Sequence, residues 1–136
     1  MSTLVGFYSF SGHTKTYAQK LAQTEQADLL ELRPVKPAGI LKAYTAGCLA
    51  AIKGKAWEIQ PLEADLAAYE QLVVCAPVWA SNAAPYVNSL LEMLPAGKGV
   101  RFKLISGSGK SKCREQLESK LAARGCKLVD LEDIKG

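Results

Sequence analysis

A single histidine, His13, stands in 136 residues, and the four cysteines (Cys48, Cys75, Cys113 and Cys126) form no Cys-x-x-Cys pair. A zinc centre would have to gather ligands from distant parts of the chain, so no metal site is expected. Reduced thiols are expected instead, with Cys75 a small buried hydrophobe inside the most apolar segment. No apolar run approaches the roughly 20 residues that a membrane-spanning helix needs. Met1-Ser2-Thr3 leads straight into an apolar segment, without the basic-then-apolar order of a signal peptide, and a cytoplasmic location is expected. Lys and Arg outnumber Asp and Glu by only 17 to 13, scattered apart from a local group at Lys110, Lys112 and Arg114. They are not interleaved with aromatics, so a nucleic-acid partner is not expected. The mild basicity points to a solvated surface or to anionic ligands.

Familiar catalytic signatures are missing too. A triphosphate-binding loop would need a glycine five places before Gly109, where Leu104 stands. No Gly-x-Gly-x-x-Gly follows the first apolar run. A receiver-type phosphorylation site would place an aspartate where Ala76 and Pro77 stand, and Cys75 is followed six places later by Ser81 rather than the arginine of a Cys-x5-Arg phosphatase. There is no convincing Ser/His/Asp set, so no catalytic residue is assigned.

What the chain does have is alternation. Hydrophobic residues at 49% and charged residues at 22% suit one soluble domain with its own core, spanning residues 1–136. The pattern predicts a strand over about Thr3–Tyr8, then a helix through Lys15–Gln23 with Tyr17, Ala18, Leu21 and Ala22 on one face. A second strand over Ala27–Leu32 is ended by Pro34 and Pro37. A helix from about Ile40 to Ile52 is predicted with Leu41, Tyr44, Cys48 and Ile52 along one side, then a loop over Gly54–Pro61 that carries Trp57. Gln71–Ala76 reads as a parallel strand covered on both faces. Pro85 suits the first turn of a third helix with Val87, Leu90, Leu91 and Leu94 as its stripe. Val100–Ser106, Ser111–Arg124 and Cys126–Leu131 complete the chain as strand, helix and strand. Strands and helices interleaved in this way make an open parallel α/β sheet with helices on both faces, which binds ligands beyond the carboxyl ends of its strands.

Three loops at that edge are unusual. Ser9–Thr14 sets three hydroxyls (Ser9, Ser11, Thr14) around Gly12 at a helix start, which offers amide donors and a positive dipole end to an anion such as phosphate. Plain helix capping would require one hydroxyl, not three around a glycine. His13 has no catalytic partner nearby and is read as a loop residue with a ligand contact open to it. Pro77–Asn82 brings Trp79 to the end of the central strand, where it either stacks on a flat ligand or packs against the next helix. Ser106–Lys110 can bring glycine backbone close to a planar group.

Taken together, these segments resemble the short-chain flavodoxins and related flavodoxin-like proteins. Tyr8-Ser-Phe-Ser-Gly-His-Thr14 resembles that family's phosphate loop, and Pro77-Val78-Trp79, with Ala84-Pro85 after it, resembles its Pro-[Ile/Val]-Trp segment. Ser106–Lys110 corresponds to its second ring-binding loop. The resemblance implies a doubly wound five-stranded parallel sheet in the order 2-1-3-4-5, holding FMN. It implies phosphate contacts from Ser9, Ser11, Gly12, His13 and Thr14, with Phe10 giving its backbone. It implies ring contacts from Pro77, Val78, Trp79, Ala80, Ser81 and Asn82, and from Ser106, Gly107, Ser108 and Gly109. The implied function is electron transfer to a partner protein or small acceptor. The alternatives are an FMN-dependent NAD(P)H:quinone-type oxidoreductase, or a scaffold that has lost its flavin. Two departures stand out: Ser106–Lys112 holds no aromatic to cover the outer flavin face, and the chain is net positive where many relatives are acidic.

Overall fold

The computed structural model describes residues 2–36, 39 and 42–136. Its elements run β1 (Thr3–Phe7), α1 (His13–Glu25), β2 (Asp28–Glu31), a π-turn (Ala43–Gly47) leading into α2 (Cys48–Lys53), and a 3-10 turn (Leu66–Ala68). Then follow β3 (Gln71–Trp79), β4 (Asn82–Ala83), α3 (Tyr86–Glu92), β5 (Gly99–Ser106), α4 (Arg114–Ala123) and β6 (Lys127–Lys135). The long strands form one parallel sheet in the order β2-β1-β3-β5-β6, which is the 2-1-3-4-5 order expected of five parallel strands. The short β4 folds back antiparallel on the end of β3. No helix of the described residues is long and apolar enough to cross a membrane.

The two faces of the sheet are unequal. Ala51 of α2, the Val87, Leu90 and Leu91 stripe of α3, and Leu117 and Leu121 of α4 pack on one face with Val74, Phe102 and Leu104. On the other face, α1 packs Ala18 and Ala22 against Val5, Val73, Cys75 and Ile105. β5 shows the consequence. Val100, Phe102 and Leu104 point into the three-helix face, while Lys103 hydrogen-bonds Glu132 of β6 at 2.7 Å and Arg101 pairs with Glu25 at the end of α1. A side chain under one helix alone can be a lysine if a carboxylate satisfies it.

The stripe expected for the second helix is corrected. Ile40, Leu41 and the side chain of Tyr44 lie outside what is described. Of the remainder, Cys48 is half-buried and Ile52 is 54% exposed, and the buried face is Gly47, Ala50 and Ala51. Size explains this. A Cβ on Gly47 would stand 2.8 Å from the Trp79 ring and 3.3 Å from the Trp57 ring, so only small residues let these indoles approach the helix. Two strands also outrun their predicted ends, because β3 continues to Trp79 and β6 to Lys135. Pro77 is tolerated in β3 because β1 has already stopped pairing at Phe7–Cys75, leaving Pro77 opposite Ile105 of β5 alone.

Replacing Gly47 by valine should therefore lower unfolding stability by about 1–3 kcal/mol through overpacking. Gly107→Ala, where an added Cβ meets nothing within 4 Å, should stay within about 0.5 kcal/mol of the parent. Urea unfolding followed by tryptophan fluorescence measures both.

Candidate functional site

The parallel register sets Phe7, the end of β1, opposite Cys75 and Cys75 opposite Lys103, and β3 and β5 run on past that point to Trp79 and Ser106. The last β1 contact is the Tyr8 N–H to the Cys75 carbonyl at 3.1 Å, after which the chain turns. Ser9 Oγ accepts the Gly12 N–H at 3.0 Å, and Gly12 adopts a left-handed φ of +97° with open space where a Cβ would stand. α1 begins at His13, two residues earlier than predicted, and His13 is an exposed helical residue rather than a loop residue. The first bond of the helix is Thr16 N–H to the Gly12 carbonyl at 3.1 Å, so the His13, Thr14 and Lys15 amides precede it. No side chain caps α1. Ser11 is exposed and Thr14 buried, and neither does the capping work weighed against the anion reading.

The second loop is a tight hairpin. Asn82 pairs back to Trp79, and Ala80 and Ser81 between them take φ of 51° and 68°. Positive φ at both central positions is what a two-residue hairpin demands, but alanine and serine pay about 1 kcal/mol or more each for it. Two bonds hold the turn: Asn82 Nδ2 to the Ala80 carbonyl at 2.8 Å, and Lys112 N–H to the Ser81 carbonyl at 2.7 Å. Pro77 and Val78 are half-buried.

Trp79, for which the sequence left stacking on a ligand and packing in the core both open, is only 8% exposed. Its ring stands edge-on to Tyr8, Phe10, Trp57 and Tyr86, with centroids 5.9, 5.6, 6.2 and 6.4 Å away. It forms the floor beneath the loops, with Phe10 above it, 37% exposed. Trp57, read from sequence only as a loop residue, is part of this floor. It is held by buried polar groups of α3: Asn88 donates to the Lys55 carbonyl at 2.9 Å and Ser89 donates to the Trp57 carbonyl. The Trp57 N–H in turn donates to the Pro85 carbonyl at 3.2 Å. A tryptophan in a loop was the only sequence signal for this role.

The third loop is self-supporting. Ser106 Oγ accepts the Gly109 and Lys110 N–H groups at 3.0 and 3.2 Å, Ser108 Oγ accepts from Lys110 at 3.3 Å, and Gly109 takes φ +71°. Gly107 and Ser108 are exposed. The Phe10–Trp79 contact joins the first loop to the second, and the Lys112–Ser81 bond joins the second to the third. The sixteen residues singled out from sequence thus come from three neighbouring loops. Clefts of about 430 and 450 Å³ lie along β2 and beside Trp57, and none of the sixteen lines them.

Three buried groups near this edge, Tyr8, Cys75 and Cys113, are shifted toward their protonated forms. Burial, and then Tyr86, push the Tyr8 hydroxyl above the usual tyrosine range. Burial pushes the Cys75 thiol up to about 12. Cys113, at the amino end of α4, is also raised by burial, against the pull of hydrogen bonds from the Ala83 backbone and Ser111. Among the described residues no group of three His, Cys, Asp or Glu could hold a metal ion. The edge therefore offers amides, hydroxyls and bare backbone, suited to holding a preformed anionic, planar group.

With Cys75 and Cys113 at 0% and 1% exposure, a thiol reagent at pH 8 should label only Cys48 and Cys126 quickly, and all four after denaturation. The raised Cys75 pKa also carries a sign. The neutral thiol contributes its full stability below about pH 9, and this is lost as pH rises toward about 12, where the unfolded chain is already ionised. Cys75→Ala should flatten that part of the alkaline unfolding curve.

A family model described as Flavodoxin matches residues 2–130. Among solved structures, a Bacteroides eggerthii protein assigned to the flavoproteins is similar at 20% identity and TM-score 0.80, over 96% of this chain and 86% of that one. A Lactobacillus acidophilus flavoprotein, solved in complex with FMN, is similar at 23% identity and TM-score 0.77, over 96% and 91%. Oxidised flavodoxin 2 of Bacillus cereus is similar at 19% identity and TM-score 0.54, over 98% and 86%. At these identities the likeness establishes the fold. A comparison with curated protein sequences returns no match.

Proposed function

The chain belongs to the flavodoxin family, and from that premise we propose that it binds FMN at the three-loop edge and transfers electrons. The observation that carries the reading is the uncapped start of α1, where the amides of His13, Thr14 and Lys15 stand beside the Ser11 hydroxyl and the open backbone of Gly12. These groups fit a phosphate monoester: donors and the positive end of a helix dipole, with no carboxylate to repel it. Ser9 shapes the loop by holding the Gly12 amide, and Phe10 contributes its backbone. The isoalloxazine ring falls to the backbone of Pro77–Asn82 and Ser106–Gly109, above the floor that Trp79 forms. Bound there, FMN supplies the redox chemistry, and the protein orients it and sets its electrostatic surroundings. A Michaelis-type acid or base is not needed, in keeping with the high pKa values of Tyr8 and Cys75.

A second reading, an FMN-dependent oxidoreductase fed by NAD(P)H, draws on one observation: the exposed Gly107 and Ser108 leave no aromatic over the outer ring face, where a nicotinamide could stack. Steady oxidation of NAD(P)H by the holoprotein with no partner added would favour it. The lost-flavin scaffold is the outcome if the protein is colourless and ignores added FMN.

FMN titrated into the flavin-stripped protein should be quenched stoichiometrically. Ser11→Ala/Thr14→Ala should weaken binding about a hundredfold or more, since two lost hydrogen bonds to a charged phosphate are worth about 3 kcal/mol together, with an unchanged circular dichroism spectrum as the check on folding. Equal affinity in parent and variant would remove the phosphate from this loop. A carboxylate-free surround should also ease full reduction of the flavin to its anionic form. A redox titration is expected to give a second-electron potential above that of acidic flavodoxins.

A further inference from the structure

No Asp or Glu occurs in residues 8–15, 32–57, 71–91 or 93–114, which include all three loops. Lys110 and Lys112 are exposed on the third loop and Lys15 on the first turn of α1. Lys135, at the end of β6, packs on Gly109, within 3.2 Å of where its Cβ would stand. None of these four lysines forms an ion pair with a described residue. Arg114 is different, since Glu118 matches it at 3.0 Å. Other carboxylates border these loops: Glu115, exposed in the first turn of α4, Asp133, which lies close enough to Cys113 to push its thiol upward, and Glu31, opposite Phe7 and lining the β2 cleft with Lys15. On the first loop stands an exposed apolar ring, Phe10, seated on Trp79.

We propose that this edge docks an acidic electron-transfer protein, reversing the polarity of an acidic carrier that meets a basic partner. The inference rests on the FMN reading and names the partner of that same site. Three of the four cations gather at the third loop, where Lys135 packs on Gly109 beside Lys110 and Lys112, and Lys15 lies apart on α1. A group of unpaired lysines with an exposed apolar ring on a neighbouring loop suits a carboxylate-bearing protein surface, whose charge is steered by the lysines while the ring adds apolar contact.

Stopped-flow oxidation of the reduced holoprotein tests this with one acceptor in two charge forms: a small basic haem protein, and the same protein succinylated to make it acidic. At about 10 mM salt the acidic form should react at least about tenfold faster, and the difference should vanish near 0.5 M salt. Lys110→Glu/Lys112→Glu should shrink the ratio by about tenfold. A change in flavin potential moves both rates together, whereas steering moves them apart, so the ratio isolates docking. Amide shifts of the flavin-free protein on adding the acidic form should centre on residues 10, 80–81 and 107–112. That readout stands even if FMN does not bind, which keeps failure of the flavin reading distinct. A ratio near one at low salt, faster reaction with the basic form, or shifts centred elsewhere would overturn the proposal. So would partner-free NADPH oxidation whose KM, rather than kcat, rises in the double variant, because the lysines would then serve a nucleotide.

Discussion

Everything at the functional edge depends on the parallel register of three central strands. Phe7, Cys75 and Lys103 lie side by side, β3 and β5 run on beyond the end of β1, and three loops emerge as neighbours at one edge. A slip of one residue would exchange the two faces of a strand and carry Lys103 into the three-helix core, so the buried pattern itself enforces the register. The register also fixes the direction of α1, which must return across the sheet and therefore presents its amino end beside the loops. The exposed amides at the start of α1 thus owe their place to strand pairing rather than to any one side chain in the turn.

Beneath the loops lies a rigid aromatic floor, and its construction explains why such mobile-looking residues can stay put. Trp79 is enclosed by four rings and by the bare backbone of Gly47. Trp57 is held through its own backbone by Asn88 and Ser89, buried polar residues whose donors are satisfied by loop carbonyls. Against this floor the Ala80–Ser81 turn can keep two unfavourable φ values, since the Lys112 bond and the Trp79–Asn82 pairing both oppose relaxation. The two positive φ values are the cost of a hairpin so short that Asn82 pairs straight back to Trp79.

The alternation of strands and helices, the loops and the α3 stripe were legible in the sequence because each rests on local pattern: apolar runs, a hydroxyl–glycine turn, and Val87, Leu90, Leu91 and Leu94 at helical spacing, whereas the strand order came only through the resemblance to flavodoxins. What escaped was set by partners distant in sequence. The Cys48 and Ile52 periodicity suggested the wrong helix face, because only the indoles of Trp57 and Trp79 reveal why Gly47, Ala50 and Ala51 must turn inward. The continuation of β3 through Pro77 was hidden because proline normally ends a paired strand, and nothing local says that β1 has already stopped. The start of α1 at His13 moved two residues because the left-handed Gly12 does the terminating work that the hydroxyls suggested.

The charge distribution follows from the same architecture. Much of the acid in this chain is occupied in structural contacts away from the loops: Glu25 with Arg101, Glu132 with Lys103, Glu118 with Arg114, and Asp28 with the Tyr69 hydroxyl. Several of these exist because α1 alone packs on the outer part of one face, so β5 and β6 carry ion pairs there where a doubly covered strand would carry valine or isoleucine. Carboxylates so placed neutralise cations on the body of the sheet. Lys15, Lys110, Lys112 and Lys135 form no ion pair with a described residue, and neither do Lys20, Lys53, Lys55 and Lys127 elsewhere, but residues 8–15 and 93–114 carry cations and no acid at all. A sparsely covered sheet face and acid-free loops are therefore two results of one allocation of acidic residues.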